Sequence, residues 1–382
     1  MEEKKKIIRV VTSGMSFKLI PGQLKFLSNY YEVIGVSSQS PVLEEISTSE
    51  GIEIIPIELE RHISLYKDLK SLYKLYRLFK NEKPHIVHSI TPKAGLLSMM
   101  ASYLARVPNR LHTFTGLIFP TQTGLFKKLL ITTDRILCSC ATRIFPEGNG
   151  VKNDLEKFKI TSKPLKVLAN GNVNGIDIDY FSMQHFSEDN QKETRANLKI
   201  DKKEFVFVFA GRLVKDKGIN ELISVFNKLC QTEQDVTLLL VGIYEEKLDP
   251  LLPETINSIK NNPKIIETGW VTDVRPYFAI SDALAFPSYR EGFPNVVMQA
   301  GAMQLPCIVT DINGCNEIIE HNETGIIIPV KDELALYNAM SYVLNNQSES
   351  NKMGAVSRQF ITTKFERSIV WKALLSEYKS LN

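Results

Sequence analysis

Short runs rich in Val, Ile and Phe alternate with longer stretches of helical period, and they do so in two successive series. The first series places strand candidates at 7–12, 32–36, 52–57, 86–89, 110–114, 141–146 and 165–169, with helical stretches around 64–81, 93–106 and 123–138. The second places them at 204–211, 236–242, 264–269, 283–288, 306–311 and 325–329. Strands that are apolar throughout and separated by helices belong to parallel sheets covered on both faces. Two such series predict two doubly wound α/β domains, and 382 residues are enough for both. The expected division is a first domain over 1–169, a linker over the Asn/Gly-rich and polar stretch 170–200, and a second domain over 201–362. A last helix over about 363–382, with Phe365, Ile369, Trp371, Leu374 and Leu375 on its apolar face, is expected to cross back onto the first domain.

Composition narrows the function class. A formal net charge of +3 gives no case for nucleic acid. The cysteines Cys138, Cys140, Cys230, Cys307 and Cys315 are odd in number and scattered, without paired spacing for zinc, as in a reducing compartment. The N-terminus runs into a strand-like segment without the apolar core of a signal peptide, and the longest mostly apolar run, 94–107, is too short to span a bilayer. The chain reads as cytosolic.

In doubly wound sheets, ligands bind beyond the carboxyl ends of strands. The loop after 204–211 carries Gly211, Arg212, Lys217 and Gly218 and opens a helix at Ile219. Two cations beside a helix N-terminus suit a diphosphate, although this loop alone reads as readily as two solvated basic residues. The loop after 283–288 turns through Glu291, Gly292, Phe293 and Pro294 into a helix near Asn295, which shares a face with Gln299. Glu291 stands where a carboxylate accepts hydroxyl hydrogen bonds; capping the helix is its simpler alternative.

The run G-R-L-x-x-x-K-G followed by P-S-x-x-E-G-F-P-N-V-V resembles the donor half of the family 4 retaining glycosyltransferases of the GT-B fold. The likeness extends over essentially the whole chain, through 168–181, 269–288 and 310–329. Segments 84–97 and 110–119 resemble enzymes that build surface polysaccharides on lipid-linked acceptors. The resemblance implies that Arg212 and Lys217 hold the donor diphosphate and that Glu291 binds the transferred sugar. It further implies that Gly292, Phe293, Pro294 and Asn295 lie against sugar and phosphate, that Trp270 and Val271 meet the base, and that Gly14 sits under an interdomain cleft. Two departures stand out: the family's second glutamate is Gln299 here, and the histidine that many members carry before a glycine is Thr115. His112 lies earlier in the same segment. His88, at a strand's carboxyl end, is either an acceptor-side group or a buried, satisfied histidine.

Residues 64–81 form a basic amphipathic helix that either lies on anionic lipid or puts its apolar side in the core and its lysines in water. His85 and His88 fall on opposite faces of a strand, poor geometry for a metal. No dinucleotide-binding glycine motif, P-loop or serine elbow occurs. The expected protein is therefore a GT-B glycosyltransferase without metal or cofactor. Its donor would be a nucleotide sugar, most simply UDP-linked, and its acceptor a saccharide, free or linked to polyprenyl diphosphate. Peripheral contact at the inner membrane face and no nucleic-acid partner complete the expectation. A nucleotide-sugar epimerase of the same fold, or a non-catalytic nucleotide-sugar binder, is the alternative.

Overall fold

The computed structural model describes residues 4–60, 64–245 and 249–381. The chain divides into two compact units, Met1–Gly175 with Arg367–Asn382 and Ile176–Glu366.

The first unit is built on a parallel sheet of β1 (Lys6–Ser13), β2 (Glu32–Ser38), β3 (Glu53–Pro56), β4 (Ile86–Ser89), β5 (Asn109–Phe114) and β6 (Arg143–Pro146), in the order β3-β2-β1-β4-β5-β6. β1 and β4, at the centre of the sheet, are buried almost throughout, whereas the edge strand β3 is not. Helices Leu65–Glu82, Pro92–Leu104 and Gly124–Cys140 supply crossovers on one side of the chain order. The segment expected to be a seventh strand, 165–169, makes a single bridge from Leu165 to Ile144. It goes no further, because Ala169 takes a left-handed φ of 50° that leaves the extended path.

The second unit repeats the order with β7 (Phe205–Ala210), β8 (Val236–Val241), β9 (Ile265–Gly269), β10 (Ala283–Phe286), β11 (Cys307–Thr310) and β12 (Gly325–Ile328), arranged β12-β11-β10-β7-β8-β9. All six residues of β7 and all six of β8 are buried, which accounts for their unbroken apolar sequence.

The chain passes from one unit to the other at 175/176 and returns at 366/367, so the polar stretch after 186 lies inside the second unit. There it forms helix Glu188–Asn197, started by a capping box between Ser187 and Asn190. The C-terminal helices break at Glu366, whose ψ of 135° is extended. Phe365 therefore belongs to the core of the second unit, while helix Arg367–Lys379 buries Leu374, Leu375 and Tyr378 in the first. Its Trp371 packs on Phe26 at 5.3 Å and donates to Asn174 Oδ1 at 2.8 Å.

Candidate functional site

Strands β7 and β10 are neighbours, pairing Phe207 with Ala283 and Val208 with Leu284. Between them the strand order reverses, the position beyond which open α/β sheets bind ligands. The two loops that leave their carboxyl ends are the two that the sequence singles out.

Backbone geometry ties those loops together. Lys215–Lys217 makes one tight turn, Gly218 follows at φ 69°, and helix Ile219–Leu229 begins. A β-carbon on Gly218 would run into the Pro287 carbonyl, so both the dihedral and the approach require glycine. The Tyr289 amide donates to the Asp216 carbonyl at 2.8 Å, and Arg290 pairs with the Asp216 carboxylate at 3.3 Å. These contacts deliver Lys217 to Glu291. The two form an ion pair with side chains only 16% and 14% exposed. Ser288 adds a hydroxyl donor to Glu291 at 2.8 Å, and the Lys217 ammonium stands 5.5 Å from the Phe286 ring centre. Cys315 is buried close by; burial, with the Glu291 charge beside it, pushes its thiol well above the ordinary range.

Glu291 is thus engaged by a cation and a hydroxyl and does not cap the following helix. Helix Asn295–Ala302 starts at Pro294 with no side-chain cap at all. Its entry turn rests on the next loop: a β-carbon on Gly314, at φ 77°, would sit 2.7 Å from Phe293 Cα and 2.8 Å from Pro294 Cδ. Phe293 is buried, 5.4 Å from Phe365, so Gly292, Phe293 and Pro294 are held from below. Gln299 is half-buried on that helix, and its side chain has no hydrogen bond among the described residues. Arg212 is 55% exposed and pairs with Glu245. Trp270 stands 64% exposed after β9, while Val271 packs against the core.

Sequence reasoning missed Ser288, Glu245 and Gly314. Ser288 carried a signal, since it precedes Glu291 by one turn of loop; Glu245, more than thirty residues from Arg212, carried none.

The first unit places its expected residues differently. Gly14 is buried against Ser40, Val42 and Leu43, and a β-carbon there would stand 2.7 Å from Leu43 Cδ2, so a larger residue would have to displace these side chains within the unit. His88 and His112, expected on the acceptor side, are both 1% exposed and face other protein groups. His88 Nδ1 meets Tyr378 Oη at 2.6 Å and Arg9 at 3.0 Å, and Nε2 meets Thr113 at 2.8 Å. Burial, with the Arg9 charge next, holds His88 well below the ordinary histidine range. His112 bonds Ser89 Oγ at 2.8 Å and is pushed by burial down to about 3. Both histidines are buried and hydrogen-bonded to protein groups. Thr115 is half-buried at the carboxyl end of β5. Among the described residues, no three His, Cys, Asp or Glu side chains converge as metal ligands, and no helix is long and apolar enough to cross a membrane.

Comparison with known proteins agrees with this geometry. Residues 190–360 match the family model "Glycosyl transferases group 1", and residues 10–146 match "Glycosyl transferase 4-like". The capsular polysaccharide biosynthesis glycosyltransferase CapM of Staphylococcus aureus is 32% identical over 99% of this chain and 98% of its own. The UDP-Gal:alpha-D-GlcNAc-diphosphoundecaprenol alpha-1,3-galactosyltransferase of Escherichia coli is 28% identical over 88% and 84%. The crystal structure of Anabaena HepE with UDP-glucose superimposes with a TM-score of 0.83 at 17% identity, covering 98% of this chain and 99% of that one. The paired sheets, the loops tied beyond β7 and β10, and a full-length relative at this identity lead to one assignment: the chain belongs to the group 1, family 4-like glycosyltransferases of the GT-B fold.

Proposed function

We propose that the chain is a retaining glycosyltransferase that moves a sugar from a UDP-sugar to a lipid-linked saccharide in surface-polysaccharide assembly. The observation that carries this reading is the Lys217–Glu291 pair, held where the β7 and β10 loops are knitted together and flanked by Arg212 and an uncapped helix start. A nucleotide sugar asks for that set: cations for the diphosphate, a carboxylate for sugar hydroxyls, and helix amides for phosphate oxygen. The names of the capsular and galactosyltransferase relatives support a surface-polysaccharide setting, and the latter's supports a UDP donor and a diphosphoundecaprenol-linked acceptor.

In this reading the bond between the anomeric carbon and the β-phosphate oxygen breaks first, giving an oxocarbenium-like centre. The acceptor hydroxyl attacks from the face the nucleotide leaves and gives its proton to the departing phosphate oxygen, so configuration is retained. Negative charge grows on the diphosphate, where Arg212 and Lys217 stabilise it without a metal ion. Both cations exchange a carboxylate partner for phosphate when the donor arrives. On the first unit, helix Leu65–Glu82 keeps Leu65 and Leu69 exposed beside its lysines, which supports contact with an anionic membrane at the inner face of the cell membrane.

The test is calorimetric titration with UDP, GDP and their sugar conjugates, on the wild type and on Arg212→Ala and Lys217→Ala. Binding of UDP conjugates that is lost in both variants is the expected result. A folded protein that binds none of these nucleotides would overturn the reading.

A further inference from the structure

The first unit contains an apolar cavity of about 340 Å³ beside the carboxyl end of β5. It opens between helices Leu65–Glu82, Pro92–Leu104 and Gly124–Cys140 and the loop that follows β5, and its walls include Leu97, Phe114, Leu117, Phe119 and Leu130. That size falls in the roughly 300–1,000 Å³ range of small-ligand sites.

Two features say what kind of molecule would enter. The first is the mouth. Leu65 is 85% exposed, Leu69 65% and Leu125 83%, and Leu65 and Leu129 belong both to this exposed set and to the cavity lining. Leu125, Leu129 and Ile136 recur along one side of their helix, and all three are exposed. Bare leucines continuous with an apolar cavity are unfavourable in water and favourable against hydrocarbon. The two helices that carry these leucines also carry exposed Lys70 and Lys128, positive charge that suits an anionic head group.

The second feature is Asp134. It lines the cavity and makes no hydrogen bond or ion pair among the described residues. Burial pushes its carboxyl up to about 7. Near neutrality that carboxyl takes up a proton far more readily than an ordinary aspartate, and in its protonated form hydrocarbon can lie on the wall without stranding a buried charge. Asp68 and Lys93, which also line the cavity, form an ion pair with each other, so their charges are balanced.

We propose that this cavity binds the hydrocarbon chain of an isoprenoid phosphate, with the phosphate left outside among the lysines. The inference rests on the proposed lipid-linked acceptor and deepens it: the first unit reads the lipid as well as the sugar.

The experiment is titration of the full-length protein with geranyl phosphate and geranylgeranyl phosphate, in the presence and absence of UDP. Methylene burial predicts that the longer chain binds at least about tenfold tighter. Leu130→Trp, which fills the cavity, should weaken both phosphates and bring their affinities together. Thr133→Trp, on a half-exposed part of the same wall, carries the test if Leu130→Trp fails to fold. UDP binding on the same preparations reads the donor site separately, so failure of the proposed transfer reaction and failure of the lipid site are distinguishable. Equal binding of the two phosphates would overturn the proposal. So would a chain-length advantage kept by both variants, which would assign the lipid to the unit's outer surface.

Discussion

In the second unit the charged side chains of the site stand in the loops beyond β7 and β10, whereas in the first unit the charged and titratable groups are drawn inside the sheet. Arg9 is 1% exposed on β1 and bonds His88 and Tyr378, not a carboxylate. The first unit closes the corresponding strand ends: Thr12 and Thr91 share a 2.8 Å hydrogen bond across β1 and β4, and Gly14 is packed on Ser40 and Leu43. Both units have one strand order. The order fixes where loops converge, and the residues at strand ends decide whether that convergence becomes a charged site or a sealed wall.

The largest effect expected from this contrast falls on the second unit. Lys217→Ala and Arg212→Ala should each reduce sugar transfer by about 10²–10³, the usual consequence of removing one preorganised donor to a developing anion. Release of nucleoside diphosphate, followed with a lipid-linked acceptor, measures it. Lys217→Ala also leaves Glu291 without its cation, so the variant should bind donor more weakly than Arg212→Ala, whose partner Glu245 is better solvated. Equal turnover in wild type and variants would erase the contrast.

A comparable free energy, spent on stability and not on turnover, is expected in the first unit. His88→Leu removes the bonds to Arg9, Tyr378 and Thr113 and should cost about 2–4 kcal/mol in urea unfolding. Donor binding should be unchanged below the transition. Loss of donor affinity with unaltered stability would mean that His88 serves a ligand after all.

The pH dependence should separate the units as well. His112, held at about 3, and His88 lie below the ordinary value of 6.5, so the unfolded chain takes up protons that the folded one refuses. Their contribution is present above about pH 6.5 and lost as pH falls toward their folded values. Asp134 has the opposite sign: held up to about 7, it favours the folded state at low pH and loses that contribution as pH rises through 7. Acid should therefore loosen the first unit, and Asp134→Asn should steepen the loss. The described histidines of the second unit, His185 and His321, are exposed. Trp371 reports on the first unit and Trp270 on the second, so fluorescence of Trp270→Phe and Trp371→Phe variants follows each unit separately. Coincident acid transitions would contradict the assignment.

The same contrast explains what was legible in the sequence. Twelve strands came from apolar runs, because parallel strands buried on both faces leave no polar alternation to confuse the reading. Lys217 and Glu291 were legible because strand-end loops expose chemistry at fixed distance from recognisable strands. The roles of His88 and His112 were not, since a strand's own sequence does not say whether a polar side chain meets solvent or another polar group across the sheet. Helix Leu65–Glu82 shows a different limit. Its apolar spacing was correct, yet burial begins only at Ser71, and Leu65 and Leu69 stay exposed. Periodicity identifies an apolar face without identifying what covers it.

Gln299 gives the smallest expected effect and the sharpest use of the comparison. It stands where the family resemblance expects a carboxylate for ribose hydroxyls, and its side chain has no internal partner to lose. A carboxylate only accepts, and ribose hydroxyls can both donate to it, whereas an amide offers one accepting oxygen. Gln299→Glu should therefore tighten UDP binding by about threefold to tenfold, the range of one hydrogen bond made to a charged in place of a neutral group. The added negative charge lies on the helix that starts beside the proposed diphosphate position, so the gain should be smaller at low ionic strength and larger in salt. Weaker binding at every salt concentration would mean that Gln299 donates to its ligand through the amide nitrogen. The second unit's donor preference would then rest on a hydrogen-bond direction that a carboxylate is unable to supply.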